Sequence, residues 1–222
     1  LKDIIPDLFA VNAYGGEPFL QEEFFEFVKW CQELNCTKNI VLGLSSNGSV
    51  VTPEIMDMLK QFKQLNLHLS VDDVGRRYEY NRWPVKWEKI TENLKLWATL
   101  HEETNEFTGR KLTITPTLSV LNIYYLEEIL DTLTPFCLPL VVTNFVHAPE
   151  VFSIRNVPET FKEVLRERIT NINFNKYDLY PRPAKRWHKP LPHIDHKQVL
   201  LSHLNLPQQG IFVDPNTYRQ KL

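Results

Sequence analysis

Apolar and polar residues follow two alternating periodicities along residues 8–170, one typical of buried strands and one typical of helices. Short apolar runs predict strands at 8–14, 39–44, 67–71 and 138–145, and strict alternation predicts another at 111–120. Apolar positions at helical spacing predict a helix after each strand, at about 20–34, 53–65, 84–100, 122–133 and 159–170. Five strand–helix units in succession imply parallel strands that are connected by right-handed crossovers.

The stretch Gly15-Gly16-Glu17-Pro18 follows the first predicted strand. Adjacent glycines leave backbone N–H groups accessible to a ligand, and the Glu17 carboxylate can hold a cationic amine. The alternative interpretation is a tight strand-to-helix turn with no ligand. Because no dinucleotide-binding fingerprint follows this strand, the pattern favours a barrel or partial barrel over a Rossmann fold.

Polar residues follow every predicted strand. In barrels of parallel strands the ligand lies at the carboxyl ends of the strands, so these residues are candidates for one shared site. They are Gly15 to Glu17, Ser46 and Asn47, Ser70 with Asp72, Thr117 to Asn122, and Asn144 to His147. Their convergence predicts a small polar ligand.

Composition narrows the class of protein. The chain has 222 residues, of which 43% are hydrophobic, which suits one globular domain with a substantial core. A net charge of −2 argues against a general nucleic-acid-binding surface. No apolar run approaches the ~20 residues that a membrane span needs, so no membrane partner is expected. Three cysteines make no disulfide framework, which predicts a reducing compartment and hence the cytoplasm.

No metal-ligating residue is predicted in the chain itself. Cys31 falls on the apolar face of its helix, and its spacing to Cys36 matches neither a zinc site nor a redox pair. His193 and His196 with Asp195 have ligand character but lack a further spaced ligand.

The character of the chain changes at about residue 173. Residues 176–193 are rich in proline, basic residues and aromatic residues, and a short helix is predicted at 195–206. The segment either grips a nucleic acid or peptide or packs as an irregular strap on the body, and the strap is favoured. We therefore divide the chain into a domain at 1–172 and a C-terminal extension at 173–222.

Three motifs together resemble the radical S-adenosylmethionine (AdoMet) enzymes, also called radical SAM enzymes. These are Gly15-Gly16-Glu17-Pro18, Ser46-Asn47-Gly48 and Leu69-Ser70-Val71-Asp72-Asp73, each after a successive strand. The run from Ser70 through Arg82 to Trp87, and Thr117 to Asn122 with Tyr124-Tyr125, are similar to the twitch-domain branch of that family. The resemblance covers about residues 8–165.

The resemblance implies an α/β fold, a partial (β/α)6 TIM-like barrel, of which the five units here are the second to sixth. The family's Cys-x3-Cys-x2-Cys loop follows the first strand and does not occur in this sequence. Since the chain begins at Leu1, the expectation is that a strand and this loop lie upstream, so that the ligands of a 4Fe–4S cluster are outside this chain. The alternative is a relative without a cluster.

The resemblance also implies roles for individual residues in binding AdoMet. Gly15, Gly16 and Glu17 would meet the ammonium, and Ser46 and Asn47 belong to the same cofactor site. The remaining assignments are Ser70 and Asp72 at the ribose and methionyl end, Arg82 on the carboxylate, and Asn144 at the adenine. Two alternatives stay open: Arg82 forms a surface ion pair with Glu79 or Glu88, and Asp72 caps the next helix.

The implied function is that of a metal-binding oxidoreductase. AdoMet and the 4Fe–4S cluster would yield a 5′-deoxyadenosyl radical that abstracts hydrogen from a peptide or small-molecule substrate, with an external electron donor. This chain alone would be inactive. One alternative is a cluster-free scaffold that binds a peptide or nucleotide. Another is a barrel hydrolase or lyase that uses Glu17 and Asp72 as acid and base.

Overall fold

A computed structural model of the chain describes residues 2–108, 111–179 and 194–206. These residues form an α/β structure in which parallel strands alternate with helices. The strands are β1 (Ala10–Ala13), β2 (Val41–Ser46), β3 (Gln64–Leu69), β4 (Lys111–Ile114), β5 (Thr117–Leu118) and β6 (Asn144–Phe145). The α-helices are α1 (Glu22–Glu33), α2 (Pro53–Lys60), α3 (Gly75–Asn81), α4 (Trp87–Thr108), α5 (Leu126–Leu133), α6 (Glu159–Asn171) and α7 (His196–Leu204).

The main sheet has four parallel strands in the order β1-β2-β3-β4. Val11 pairs with Leu42, Leu42 pairs with Leu65, and Leu67 pairs with Leu112. Strands β5 and β6 form a separate parallel pair. Because consecutive strands are neighbours and parallel, their carboxyl ends meet at one edge, as the sequence predicts.

One face of the main sheet packs into the hydrophobic core. Its residues are Val11, Ala13, Leu42, Leu44, Leu65, Leu67, Leu69, Leu112 and Ile114. They join the apolar stripes of α1, α2 and α4, among them Val28, Leu59 and Trp97, which are nearly or fully buried. Side chains alternate between the two faces of a strand, so the residues in between belong to the opposite face.

The predicted strand at 111–120 is interrupted, and the one at 138–145 is mostly irregular. The first divides into β4 and β5 around Pro116, and the second is ordered as a strand only in β6, with an isolated bridge between Ile114 and Leu140. Pro116 and Pro139 lack the N–H that a ladder requires, which explains both interruptions. The sheet is therefore shown as four strands plus two, and closure into a partial barrel stays a prediction.

Three helical predictions differ from the structure, and one helix is not predicted. The helix expected at 53–65 ends at Lys60, and Gln64 and Leu65 belong to β3. Helix α3 was not predicted, because its sequence carries only one buried residue, Tyr78, and no apolar stripe. The helix expected at 84–100 begins at Trp87 and extends to Thr108. The helix expected from 122 begins as a 3-10 turn at Ile123–Tyr125 before α5.

Part of the segment after residue 172 contacts the rest of the molecule. Leu179 forms a parallel bridge with Leu140, and the Tyr177 hydroxyl donates to Asp131 at 2.9 Å. Helix α7 packs on α6 and falls within the helix predicted at 195–206. Most of the basic aromatic stretch 176–193 lies outside the described residues, and the boundary at 172 stays a prediction. None of the described helices has the length and apolar character needed to cross a membrane.

Candidate functional site

The turn between β1 and α1 requires its two glycines. Gly15 and Gly16 have φ angles of 95° and 61°, which lie in the left-handed region that other residues adopt only with strain. Glu17 returns to extended backbone, and its side chain accepts from the Phe19 amide at the start of a 3-10 turn. The predicted tight turn is therefore present, and it places Glu17 at the carboxyl edge of the sheet.

The Glu17 carboxylate connects this turn to the end of β2. Glu17 is only 7% exposed. Its carboxylate accepts from the Ser46 hydroxyl at 2.8 Å and from the backbone N–H of Asn47 at 2.7 Å. The Ser46 hydroxyl accepts in turn from the Gly48 amide at 3.0 Å. These bonds satisfy a buried carboxylate with neutral donors, so Glu17 also has a structural role in holding the two strand exits together.

Asn93 on α4 fixes the loop after β2. Its amide nitrogen donates to the carbonyls of Gly48 at 2.9 Å and Ser49 at 2.7 Å, and the residue is 1% exposed. Sequence reasoning missed this residue. The available signal was a polar residue between Ile90 and Leu94 on an otherwise apolar helical face.

Asp72 and Arg82 form an ion pair beyond the end of β3. Arg82 Nε donates to Asp72 Oδ2 at 2.7 Å, and Arg82 Nη2 lies 2.5 Å from the same oxygen. Asp72 Oδ1 accepts from the Thr117 amide at 2.9 Å. Asp72 therefore joins the exit of β3, the end of α3 and the start of β5.

This arrangement differs from the two alternatives, an ion pair of Arg82 with a nearby glutamate and a capping role for Asp72. Glu79 binds Lys86 and the Trp87 amide, whereas Arg82 pairs with Asp72. The Val74 amide, just before α3, donates to Asp73, whereas the Asp72 carboxylate accepts from Arg82 and the Thr117 amide.

Asn122 is the centre of the hydrogen bonds around Asp72. Its amide donates to the carbonyls of Asp72 and Thr117 at 2.7 and 2.9 Å, and its oxygen accepts from the Ser119 amide at 2.8 Å. Asn144 of β6 donates to the Thr117 hydroxyl at 2.9 Å. Asn144 thus belongs to the same network. Asn122, the last residue of the predicted strand exit Thr117 to Asn122, organises it, although the resemblance gave it no role of its own.

A cavity of about 350 Å³ opens beside this network. Asp72, Arg82, Thr117 and Asn122 form its polar side, and Leu121, Val146, Pro149 and Phe152 form much of the apolar side. Its size falls within the range of small-molecule sites, and its mixture of apolar walls with a few polar groups is typical of them. The structure therefore places a ligand-sized cavity at the carboxyl ends of β3, β5 and β6.

A second set of ion pairs joins α3 to α5. Asp73 is fully buried and accepts from Arg77 Nε at 2.9 Å, while Arg77 also contacts Glu128 at 3.0 Å and lies over the Tyr125 ring. Burial raises the pKa of Asp73, and the Val74 amide and Arg77 oppose that rise. Arg77 is therefore part of the packing of α3 against α5.

The predicted site residues fall into two groups. Gly15, Gly16, Glu17, Ser46 and Asn47 surround one pair of strand exits. Asp72 and Arg82 line the cavity, and Asn144 is linked to it through the Thr117 hydroxyl. Ser70 lies between the groups, since its amide donates to the Ser46 carbonyl at 2.8 Å. Gly15 to Glu17, Ser46, Asn47, Ser70 and Asp72 end or follow strands of the main sheet, Arg82 joins them through Asp72, and Asn144 is the first residue of β6.

The cysteines do not form a metal site among the described residues. Cys31 and Cys36 are buried in the core, and Cys137 is exposed on the turn after α5. Burial, together with the nearby Cys36, raises the pKa of the Cys31 thiol to about 12, so it stays protonated. Across residues 2–108, 111–179 and 194–206, no three His, Cys, Asp or Glu side chains are grouped to hold a metal ion.

Comparison of the fold with solved structures finds similarity to Streptococcus suis SuiB. The crystal structure of SuiB matches with 17% identity and a TM-score of 0.51, over 77% of this chain and 38% of that one. SuiB bound to S-adenosylmethionine matches at 16% and 0.51, and SuiB bound to the precursor peptide SuiA at 17% and 0.52. No protein-family profile matches the sequence, and neither does any curated protein.

These matches support the fold and leave the activity to be proposed. The chain spans less than two fifths of the SuiB chains that it matches. At this identity the likeness shows a shared fold, an α/β arrangement with a parallel sheet, and nothing more.

Proposed function

We propose that this chain is the AdoMet-binding portion of a radical AdoMet enzyme of the twitch-domain branch. The observation that carries the proposal is the Asp72–Arg82 pair on the wall of a cavity at the carboxyl ends of parallel strands. The similarity to SuiB, which has been solved with S-adenosylmethionine bound, supports the same assignment. The order along the chain also agrees with the resemblance: Glu17 follows β1, Ser46 and Asn47 lie at the end of β2, and Arg82 comes after β3.

The residues at the cavity fit the chemistry of AdoMet. Arg82 uses Nε and one Nη for Asp72, and its side chain is 30% exposed, so further N–H groups are accessible to the AdoMet carboxylate. Asp72 fixes the guanidinium, and Asn144 and the backbone around it line the adenine. In the other group, Gly15, Gly16 and Glu17 meet the ammonium, and Ser46 and Asn47 hold Glu17 in place.

The chain's own residues do not fit a 4Fe–4S cluster. A cluster needs three thiolates in one place, whereas Cys31 and Cys36 are enclosed in the core and Cys137 lies on the surface. Cluster ligands would therefore come from residues outside this sequence. With a cluster held there, bound AdoMet would supply the chemistry for hydrogen abstraction from a substrate.

The substrate that we propose is a peptide or a small molecule, and an external donor supplies the electron. One SuiB structure contains a precursor peptide, which supports the peptide. The hydrolase or lyase alternative is less well supported, because Glu17 is held by backbone and hydroxyl donors and Asp72 is held by Arg82. Carboxylates whose oxygens are engaged in internal hydrogen bonds and ion pairs are poorly placed to exchange protons with a substrate.

Isothermal titration calorimetry with AdoMet tests the proposal on this chain and on the complete protein. We expect saturable, one-to-one binding by both, with tighter binding by the complete protein. S-adenosylhomocysteine should bind as well, because it keeps the amino-acid and adenosine groups. Absence of AdoMet binding by the complete, anaerobically purified protein would contradict the assignment.

A further inference from the structure

Tyr78 carries a hydroxyl group that the fold encloses but does not use. The residue is fully buried on α3, and its ring packs against that of Trp87, with the ring centroids 5.4 Å apart. In the part of the chain that the structure describes, this hydroxyl has no hydrogen-bond partner. A buried donor without a partner destabilises the folded state, whereas phenylalanine would fill the same space without that cost. The hydroxyl is therefore expected to gain a partner in another state of the site.

The hydroxyl of Tyr78 lies near the Asp72–Arg82 ion pair. Tyr78 precedes Arg82 by four residues, and the Arg82 amide donates to the Tyr78 carbonyl at 2.9 Å, so both side chains extend from one side of the end of α3. Burial raises the pKa of Tyr78 to about 12, and the charges of Arg82 and Asp72 act on the same hydroxyl in opposite directions. The phenol therefore keeps its proton at neutral pH and can donate a hydrogen bond.

Asp72 and Arg82 neutralise each other on the wall of the cavity. Among the described residues that line this cavity, only these two carry a charge. When the carboxylate of AdoMet binds to Arg82, one guanidinium serves two carboxylates. Each of them then receives less compensation than Asp72 receives alone, and a partly buried site replaces little of that loss with water. A further donor beside Asp72 would restore the balance.

We propose that Tyr78 is a positioning residue, whose hydroxyl donates to Asp72 when the carboxylate of AdoMet shares Arg82. The inference rests on the proposed function, because it requires a ligand carboxylate at Arg82. Tyr78 itself does not touch the ligand in this arrangement. It acts through Asp72 on the orientation of the guanidinium.

The existing bonds of Asp72 determine which of its oxygens receives the hydroxyl. Oδ1 accepts from the Thr117 amide at 2.9 Å, whereas Oδ2 accepts from Arg82 Nε at 2.7 Å. As Arg82 is drawn towards a ligand, Oδ2 loses part of its hydrogen bonding and becomes the acceptor for Tyr78. Asp72 thereby stays fixed between the ends of β3 and α3, and Arg82 stays oriented towards the cavity.

Calorimetry with two ligands of different charge tests this role on the complete, anaerobically purified protein. Decarboxylated AdoMet keeps the adenosine, sulfonium and ammonium groups and lacks only the carboxylate. Tyr78→Phe should weaken AdoMet binding about three- to tenfold through one lost hydrogen bond, and should leave the binding of decarboxylated AdoMet unchanged. Tyr80→Phe is the matched control, because Tyr80 lies on the same helix and is 80% exposed, and it should alter neither affinity.

Urea denaturation tests the contact between Tyr78 and Asp72 without any ligand. In the wild-type background, Tyr78→Phe should leave the unfolding midpoint unchanged or raise it, because the hydroxyl has no partner there. In Arg82→Met, Asp72 loses its counter-ion and the hydroxyl becomes its donor. Adding Tyr78→Phe to that variant should therefore lower the midpoint, whereas adding Tyr80→Phe should not.

The two experiments separate this inference from the proposed function. Unchanged AdoMet affinity in Tyr78→Phe, equal weakening of both ligands, or no reversal of the effect in Arg82→Met would overturn the role of Tyr78. If the wild-type protein does not bind AdoMet and the reversal occurs, the AdoMet assignment is wrong and Tyr78 remains a donor for Asp72. If AdoMet binds and Tyr78→Phe has no effect, only the role of Tyr78 is wrong.

Discussion

Asp72, just after β3, forms an ion pair that holds the Arg82 side chain in place. One carboxylate oxygen receives the guanidinium at 2.7 Å, and the other receives the Thr117 amide at 2.9 Å. The arginine is therefore oriented before any ligand arrives, which reduces the side-chain entropy lost on binding. Preorganisation of this kind distinguishes a binding arginine from a surface arginine that is free to move.

Replacing Arg82 should weaken AdoMet binding. Arg82→Ala should cost about 1.5–3 kcal/mol, or roughly ten- to a hundredfold in affinity, through loss of a charge-assisted contact. Arg82→Lys should recover only part, because an ammonium cannot reproduce two parallel hydrogen bonds. Asp72→Asn should have a smaller effect, since the amide still accepts one bond. Calorimetry on the anaerobic complete protein measures these changes.

Arg76 provides the matched control for Arg82, because it is an exposed arginine on α3, the helix that Arg82 directly follows. Arg76→Ala should leave AdoMet affinity nearly unchanged. Arg77 is unsuitable as a control, since it contacts Asp73 and Glu128. Equal losses for Arg76→Ala and Arg82→Ala would mean a diffuse electrostatic effect and would contradict the role given to Arg82.

Replacing Glu17 should destabilise the fold even without a ligand. Glu17→Gln turns one acceptor into a donor that faces the Ser46 hydroxyl or the Asn47 amide, which should cost about 1–3 kcal/mol of unfolding free energy. Urea denaturation followed by circular dichroism measures the change. Glu26→Gln, on the exposed side of α1, should alter the midpoint very little. Similar midpoints for the two variants would show that the Glu17 bonds contribute nothing.

Asn93 should matter for the order of the loop after β2. In Asn93→Ala the carbonyls of Gly48 and Ser49 lose their donor, at a cost of about 1–3 kcal/mol. Amide hydrogen exchange at Ser49 should accelerate more than exchange in β3. Lys95→Ala, on the exposed side of the same helix, should leave both rates unchanged. Uniform acceleration across the protein would instead indicate general destabilisation.

His203 should make stability depend on pH in the acidic range. Its ring stacks on Phe145 at 3.8 Å and accepts from Arg155 Nε at 3.4 Å, and His147 lies nearby. Burial, then Arg155 and His147, lowers the pKa of His203 from 6.5 to about 4. Between pH 6.5 and about 4, the unfolded chain therefore binds a proton at this residue that the folded chain does not bind. The free energy of unfolding is highest above pH 6.5 and falls by about 3 kcal/mol as the pH drops to about 4.

Denaturation at a series of pH values checks this prediction. His203→Gln keeps an acceptor for Arg155 but does not titrate. The slope of unfolding free energy against pH, between pH 6.5 and about 4, should therefore fall by the equivalent of about one bound proton. Ser202→Ala, on the exposed side of α7, should keep the wild-type slope. An unchanged slope in His203→Gln would show that other groups cause the acid sensitivity.

The sequence predicts the parts of the fold that depend on local periodicity. The stripe of α1, the start of α2 and the apolar run of β2 lie close to where the pattern places them, because each element buries one continuous face. The pattern extends α2 to residue 65, whereas the helix ends at Lys60 and Leu65 belongs to β3. The interruptions at Pro116 and Pro139 were visible in the sequence, yet apolar residues on both sides masked them. Helix α3 has no apolar stripe and depends on the single buried ring of Tyr78 and on the contacts of Arg77.

The candidate site was predictable in position but only partly in its contacts. The polar strand exits indicate that a site lies at one edge, since the carboxyl ends of parallel strands coincide. The partner of Arg82 was not predictable from sequence spacing. Asp72 lies ten residues before Arg82, and the nearer Glu79 is bound to the Trp87 amide instead. The roles of Asn93 and Asn122 depend on backbone carbonyls, which no side-chain pattern reports.

The shared hydrogen bonds of Asn122 determine how mutational data from this site would add up. One amide holds the carbonyls of both Asp72 and Thr117, and Asp72 itself holds the Thr117 amide, so the two residues stabilise the same backbone. Losing either one releases part of what the other maintains. Single substitutions would then count the same free energy twice, and the double variant Asp72→Asn with Asn122→Ala should lose less than the two singles combined.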